Sequence, residues 1–226
     1  MADHILPGPP PVPLVLRRSG RARRISLRVS RLDGRVTLTL PAGVPESEAM
    51  DFARAREAWI RGHLADRPDA VQVAPGAVIP IEGEPHLVVT ATGRRVQRAS
   101  GQIGVPADRP GARLQAFLKQ LARDRLVAAS DRYAAALGRP YARLTLRDTR
   151  SRWGSCSSAG ALSYSWRLAL APPPVLAYVA AHEVAHLAEM NHSPAFWATV
   201  ARLYGPYEAE RRWLRDNGHD LHRYRF

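Results

Sequence analysis

The sequence predicts an α+β fold: a small β-rich N-terminal domain, then a domain that sets a β-hairpin beside helices. Three observations predict it. Apolar residues alternate with polar ones over residues 25–40, short apolar runs punctuated by turns fill residues 71–106, and segments with helical periodicity dominate from residue 111 onward.

Residues 1–13 are proline-rich. Proline lacks a ladder donor and resists helix, so a flexible tail is expected there. From Leu14 the pattern turns β-like: Ile25, Leu27 and Val29 alternate with Ser26 and Arg28, Asp33-Gly34 supplies a turn, and Val36, Leu38 and Leu40 follow as the second arm of a hairpin. Pro45-Glu46-Ser47-Glu48 then opens a helix carrying Met50, Phe52, Ala53, Ala58, Trp59 and Ile60, with its acids in the first turn, where the helix dipole favours them. Pro75-Gly76, Glu82-Gly83, Thr92-Gly93 and Ser100-Gly101 cut residues 71–106 into a meander. Pro110-Gly111 marks the expected boundary between domains 14–110 and 111–226.

In the second domain a long amphipathic helix runs through Leu114, Phe117, Leu118, Leu121, Leu126 and Tyr133 and stops near Gly138. Strands are expected at about Arg143 to Thr149 and Ala161 to Leu170, paired as a hairpin across the loop 151–160. Pro172, Pro173 and Pro174 end the second strand and introduce a helix, since proline is tolerated in a helix's first turn. Ser193 followed by Pro194 reads as the N-cap of another, through Phe196, Trp197, Val200 and Leu203. No internal repeat is present.

At 226 residues, with 46% hydrophobic and 23% charged residues, the chain has the composition of an ordinary folded protein. No apolar run reaches the roughly 20 residues needed to span a bilayer, and the N-terminus lacks the basic start and unbroken apolar stretch of a signal peptide. A lone cysteine, Cys156, excludes an intrachain disulfide framework. These features predict a cytoplasmic protein with no membrane partner; the oligomeric state has no sequence signature. The net charge of +13 comes almost wholly from arginine, Lys119 being the single lysine, and favours polyanions such as nucleotides or nucleic acid as partners.

The chemistry concentrates at His182-Glu183-Val184-Ala185-His186. Positions four apart on a helix lie about 40° apart on one face, so both imidazoles can reach one ion. Glu183, rotated from that line, is placed to contact a metal-activated water as general base. With eight histidines in the chain, shuffling would create this motif in about one sequence in a hundred. The surrounding helix is nearly all apolar, which makes three ionisable residues costly to bury unless something compensates them. An open catalytic zinc site needs a third protein ligand. His192 is the best placed, provided that Asn191 adopts a left-handed conformation that turns the chain back; Glu189, Glu208 and Glu210 compete with it.

Taken in order, Arg152-Trp153-Gly154-Ser155-Cys156-Ser157, Trp166-Arg167-Leu168, His182-Glu183-Val184-Ala185-His186, Asn191-His192-Ser193 and Phe196-Trp197 resemble the YgjP-like metallopeptidase family, related to the SprT-type zinc proteases. The resemblance spans about residues 14–222 and departs at Ser165, where the family commonly has asparagine. It implies a zincin-like second domain, one Zn²⁺ held by His182, His186 and His192, and Glu183 as the catalytic acid/base.

The expected reaction is hydrolysis of a peptide bond in a protein or peptide substrate. Arg152, Arg167, Tyr178 and Tyr204 are the candidate contacts to the substrate or the developing oxyanion. Trp153 and Trp166 read as packing residues, and Cys156 as a small buried hydrophobe. Two alternatives stay open: a metal-dependent nucleotide phosphohydrolase, motivated by the arginines around residues 151–158, and a nucleic-acid-associated protein whose zinc is structural.

Overall fold

In the computed structural model, which describes residues 4–30, 33–65 and 69–226, the alternation seen near the N-terminus becomes a four-stranded sheet. Its strands are β1 (His4–Leu6), β2 (Val12–Arg18), β3 (Ser26–Val29) and β4 (Val36–Leu40), in the order β1-β2-β4-β3. Val36, Leu38 and Leu40 point into the core while Thr37 and Thr39 face outward, the period of two that a strand with one buried face requires. The β3-β4 hairpin forms as expected. The N-terminal segment does not form a tail: β1 and β2 pair with each other, and β2 also pairs with β4. Leu6, Val12 and Leu14 supply the buried apolar groups for this, and Pro13 precedes the ladder with β4, so its missing donor costs nothing there. Residues 1–3 lie outside the described residues. The expected single helix is two, α1 (Glu46–Ala55) and α2 (Glu57–Ala65), broken at Arg56, and Ala53 and Ile60 pack under the sheet.

The chain divides into two units between Asp69 and Ala70, not at residue 110. The reason is a shared core: Val73, Ile79, Ile81, Val88, Ile103 and Val105 join one apolar cluster with the helices that follow. In this second unit β6 (Val78–Ile81), β7 (Glu84–Ala91), β8 (Gln97–Ala99) and β9 (Gln102–Pro106) form a sheet in the order β6-β7-β9-β8, while β5 (Val71–Gln72) pairs with β13 (Tyr224–Arg225) near the end of the chain. The parallel β7-β9 pairing is what an all-antiparallel meander lacks.

Helix α3 (Pro110–Leu137) buries Leu114, Leu118, Ala122 and Leu126 at steps of four and ends at Gly138. Next come β10 (Arg143–Arg147), β11 (Gly154–Cys156) and β12 (Ala161–Ser165) in the order β10-β12-β11. The expected hairpin between β10 and β12 is therefore replaced: these two run parallel, and the loop between them contains β11, the true antiparallel partner of β12. Gly160, at φ 71°, supplies the left-handed residue that closes the tight β11-β12 turn. Residues 166–170 leave the strand as a short 3₁₀ turn capped by the Ser165 side chain. Helices α4 (Pro173–Ala185), α5 (Pro194–Tyr204) and α6 (Glu208–Asn217) complete the unit, with α4 packed against α3, α5, α6 and β11. No helix among the described residues is long and apolar enough to cross a membrane.

Candidate metal centre

Helix α4 is the most buried helix of the unit. Val175, Leu176, Val179, Ala180, Ala181, Val184 and Ala185 fix it among its neighbours, and this leaves one narrow line of the helix, through His182 and His186, facing a cavity. The helix ends at His186. Three consecutive turns through residues 184–189 then reverse the chain, with Leu187 N–H donating to Val184 O and Glu189 N–H to Ala185 O. Asn191 is not left-handed, contrary to expectation; among the described non-glycine residues only Glu82 and Arg109 have positive φ. Ser193 caps α5 by accepting from Phe196 N–H, and that cap delivers His192 beside the other two histidines.

The three imidazole centroids lie 4.9–5.2 Å apart, and one nitrogen from each falls within 4.8 Å of the others. His182 Nε2 and His192 Nε2 face each other at 3.1 Å. His186 Nδ1–H donates to the Glu189 carbonyl at 2.9 Å, which leaves its Nε2 lone pair free for a ligand. Burial, then the neighbouring histidines, pushes His182 down to about 3, and burial also lowers His186, so both rings are neutral donors at ordinary pH. Beneath them sits Phe196, fully buried, its ring 4.4–4.9 Å from all three imidazoles. Three convergent imidazoles over a buried aromatic floor are a donor set that suits a borderline divalent cation, and the residues fit the group. Glu189, Glu208 and Glu210 contribute no carboxylate to this cluster.

Glu183 is 5% exposed. Burial raises its carboxyl to about 8, Arg152 pulling the other way, and its Oε2 has no hydrogen-bond partner among the described residues. The wall against it is Gly154: a Cβ there would stand 2.5 Å from Glu183 Cγ and 2.6 Å from Oε1. Only glycine lets β11 lie this close to the carboxylate. The cavity, about 470 Å³, is lined by Arg152, Trp153, Gly154, Cys156, Tyr178, Glu183 and the three histidines, with Met190 and Leu214 at its apolar edge.

The other expected residues sort cleanly. Arg152 and Tyr178 line the cavity. Burial raises Tyr178 to about 12, so its hydroxyl keeps its proton, and its ring meets His182 edge-on at 6.0 Å. Arg167 and Tyr204 do not line the cavity. Arg167 is held by Asp148, Leu221 O and Tyr224 O, and the Tyr204 hydroxyl donates to Pro174 O. Ser165 is a buried cap for the turn that carries Arg167. Burial, then the charge of Glu183, pushes the Cys156 thiol up to about 11, which suits an inert lining group. Trp153 combines two roles, lining the cavity while packing on His222 at 5.2 Å and against Gly218. Gly154 and Phe196 are the positions beside Glu183 and the histidines that spacing arguments pass over. Their only signal was membership in the Trp-Gly-Ser-Cys and Phe-Trp strings.

A family model, that of the YgjP-like metallopeptidase domain, matches residues 23–217. The chain belongs to the YgjP-like metallopeptidase family. As a YgjP-like protein it is a hydrolase, and its metal-binding character agrees with the three-histidine cluster. Comparison with curated proteins gives no match. Among solved structures it is similar to the metallopeptidase zymogen abylysin of Pyrococcus abyssi, with 21% identity and a TM-score of 0.35 over 43% of this chain and 92% of that one. That likeness is too distant to carry detail to this YgjP-like chain.

Proposed function

We propose that this protein hydrolyses peptide bonds in an extended polypeptide, with Zn²⁺ as its metal, His182, His186 and His192 as ligands and Glu183 as general base. The observation that carries the reading is the pairing of the histidine cluster with an open strand edge. Trp153 O accepts from Ser165 N–H and Ser157 N–H donates to Ala161 O, so the odd-numbered residues of this stretch face β12. By the alternation of an antiparallel ladder, Gly154 and Cys156 turn their N–H and C=O groups the other way, where no described strand pairs with them. A peptide can add there as a further strand, its backbone fixed by those groups. A nucleotide gains nothing from them.

When bound, a divalent cation at the three imidazoles polarises a carbonyl and acidifies water. The chain's own residues do the rest. Glu183, beside His182 and walled by Gly154, takes the proton of the attacking water at its carboxylate and returns it to the leaving amine. Arg152 and Tyr178 line the same cavity and carry the N–H and O–H donors for negative charge developing on the carbonyl oxygen.

The test is metal analysis of the wild type and His192→Ala, with hydrolysis of unfolded proteins and of nucleoside triphosphates, using Glu183→Gln as control. Zn²⁺ should load the wild type and Glu183→Gln but not His192→Ala, and Glu183→Gln should lose about 10²–10⁴-fold in peptide turnover. Full loading of His192→Ala, undiminished turnover by Glu183→Gln, or turnover of nucleotides in place of peptides would overturn the reading.

A further inference from the structure

Between α3 and the end of β10 lies a second cavity of about 420 Å³. Lys119, Gln120 and Arg123 line one side from a single stretch of α3, and Leu146, Arg147 and Asp148 line the other, with Trp166 at the base. Asp148 is the one acid among these, and its charge is already engaged by Arg167 at 2.6 and 3.2 Å. The Lys119 ammonium donates to the neutral amide oxygen of Gln115 at 3.2 Å and lies 5.9 Å from the centre of the Trp166 ring. Lys119, Arg123 and Arg147 take part in no ion pair among the described residues. Three cations thus share a groove with no opposing carboxylate left over.

The register of the small sheet ties this groove to the metal cavity. Arg147 on β10 pairs with Ser165 on β12, and Ser165 N–H donates to Trp153 O at 2.8 Å on the far side. Arg147 and Trp153 therefore flank Ser165 in one row, two strand spacings or about 10 Å apart. The segment that joins them carries Arg150 and Arg152; Arg152 lines the metal cavity, and neither arginine has an ion-pair partner among the described residues. An extended chain crosses that distance in about three residues at ~3.3 Å each.

From this arrangement we propose that Lys119, Arg123, Arg147 and Arg150 form a track that selects polypeptide substrates carrying acidic side chains a few residues to one side of the bond that is cut. The inference rests on the peptidase reading and names its substrate class. The short span to the metal cavity, about 10 Å across the sheet, favours a polypeptide as the occupant. So does the absence of a stacking platform: Trp166, the aromatic residue of the groove, is 1% exposed, whereas proteins that hold single-stranded nucleic acid offer open aromatic faces. Screening by salt should weaken the selection, because the cations are solvent-facing.

The probes are two fluorescent peptides of one sequence, one bearing a run of three Glu residues at one end and the other three Gln at the same positions. Their binding to zinc-loaded Glu183→Gln protein is read by anisotropy at low salt and at about 0.5 M salt, where charge steering is largely screened. The Glu peptide should bind about tenfold more tightly at low salt, the advantage should collapse at high salt, and Arg123→Glu combined with Arg147→Glu should abolish it. The salt comparison uses the parent protein, so the result stands even if the double variant folds poorly. Equal binding of the two peptides, a preference that survives the charge reversal, or an oligonucleotide that displaces the Glu peptide and depends on the same two arginines would overturn the proposal. Discrimination between the peptides by a protein that cuts neither would support the track and sink the peptidase reading instead.

Discussion

Two of the places in the second unit that bury ionisable groups do so in opposite ways. The Arg167 side chain is 8% exposed, yet every face of its guanidinium is used: two bonds to Asp148, one each to Leu221 O and Tyr224 O, and the Trp166 ring 4.7 Å away. Burial alone would raise Asp148, but the hydrogen bonds and charge of Arg167 outweigh it and hold the carboxyl below its ordinary range. On α4 the polar groups are left unfinished, with His182 Nδ1 and Glu183 Oε2 buried and without hydrogen-bond partners among the described residues. Satisfied burial makes a fastening, whereas incomplete burial costs stability and persists where the exposed valence is put to use. His86 shows the first kind again: it is buried, with Nδ1–H donating to Glu84 O and Nε2 accepting from Arg98.

This contrast can be broken by experiment. Arg167→Ala removes four donor contacts at once and leaves Asp148 and two carbonyls without them, so stability measured by urea unfolding should fall by about 3–5 kcal/mol while turnover per folded molecule is kept. A large loss of turnover with intact stability would make Arg167 part of the site after all. The second measurement is thermal stability against pH in chelator. Glu183, raised in the folded state, contributes stability that is whole below its unfolded value near 4.5 and is lost as pH climbs through about 8. His182 and His222, lowered chiefly by burial to about 3 and about 4, act on the other flank: their contribution is whole above 6.5 and is lost as pH falls toward those values. At ~1.4 kcal/mol per pKa unit the metal-free protein should lose on the order of a few kcal/mol on each side, and Glu183→Gln should flatten the alkaline side alone. An alkaline loss that survives that substitution would place its origin elsewhere. The smallest effect on stability is expected from Gly154→Ala. Its methyl group collides with the Glu183 side chain, costing about 1–3 kcal/mol and, by displacing the proposed base, about a hundredfold in kcat with KM little changed. Unchanged kcat would show that Glu183 can work from another position.

How much of this was legible in the sequence follows from the range of the interactions involved. The motif helix, its proline start, the Ser193 cap and the long α3 are set by neighbours a few residues apart, and periodicity reads such neighbours directly. The convergence of His192 was legible from spacing, though not the manner of its delivery: turns through residues 184–189 replace a left-handed Asn191. The parallel pairing of β10 with β12, the strand hidden in the 151–160 loop and the boundary at residue 70 depend on contacts between distant residues that no local pattern encodes. Arg167 and Tyr204 were drawn toward the site by residue type alone. Their partners, Asp148 and the carbonyl oxygens of Leu221, Tyr224 and Pro174, are chosen by tertiary packing.

Phe196 has a consequence for how the centre is approached. Its ring lies 4.4–4.9 Å from all three imidazoles, so the cluster has hydrocarbon at its back. With an ion held there, an incoming nucleophile, a leaving group and a chelating inhibitor would approach through the cavity that β11 helps to line. On the proposed reading, product and substrate compete for that cavity, and a chelating inhibitor built on this centre would run its chain along the strand.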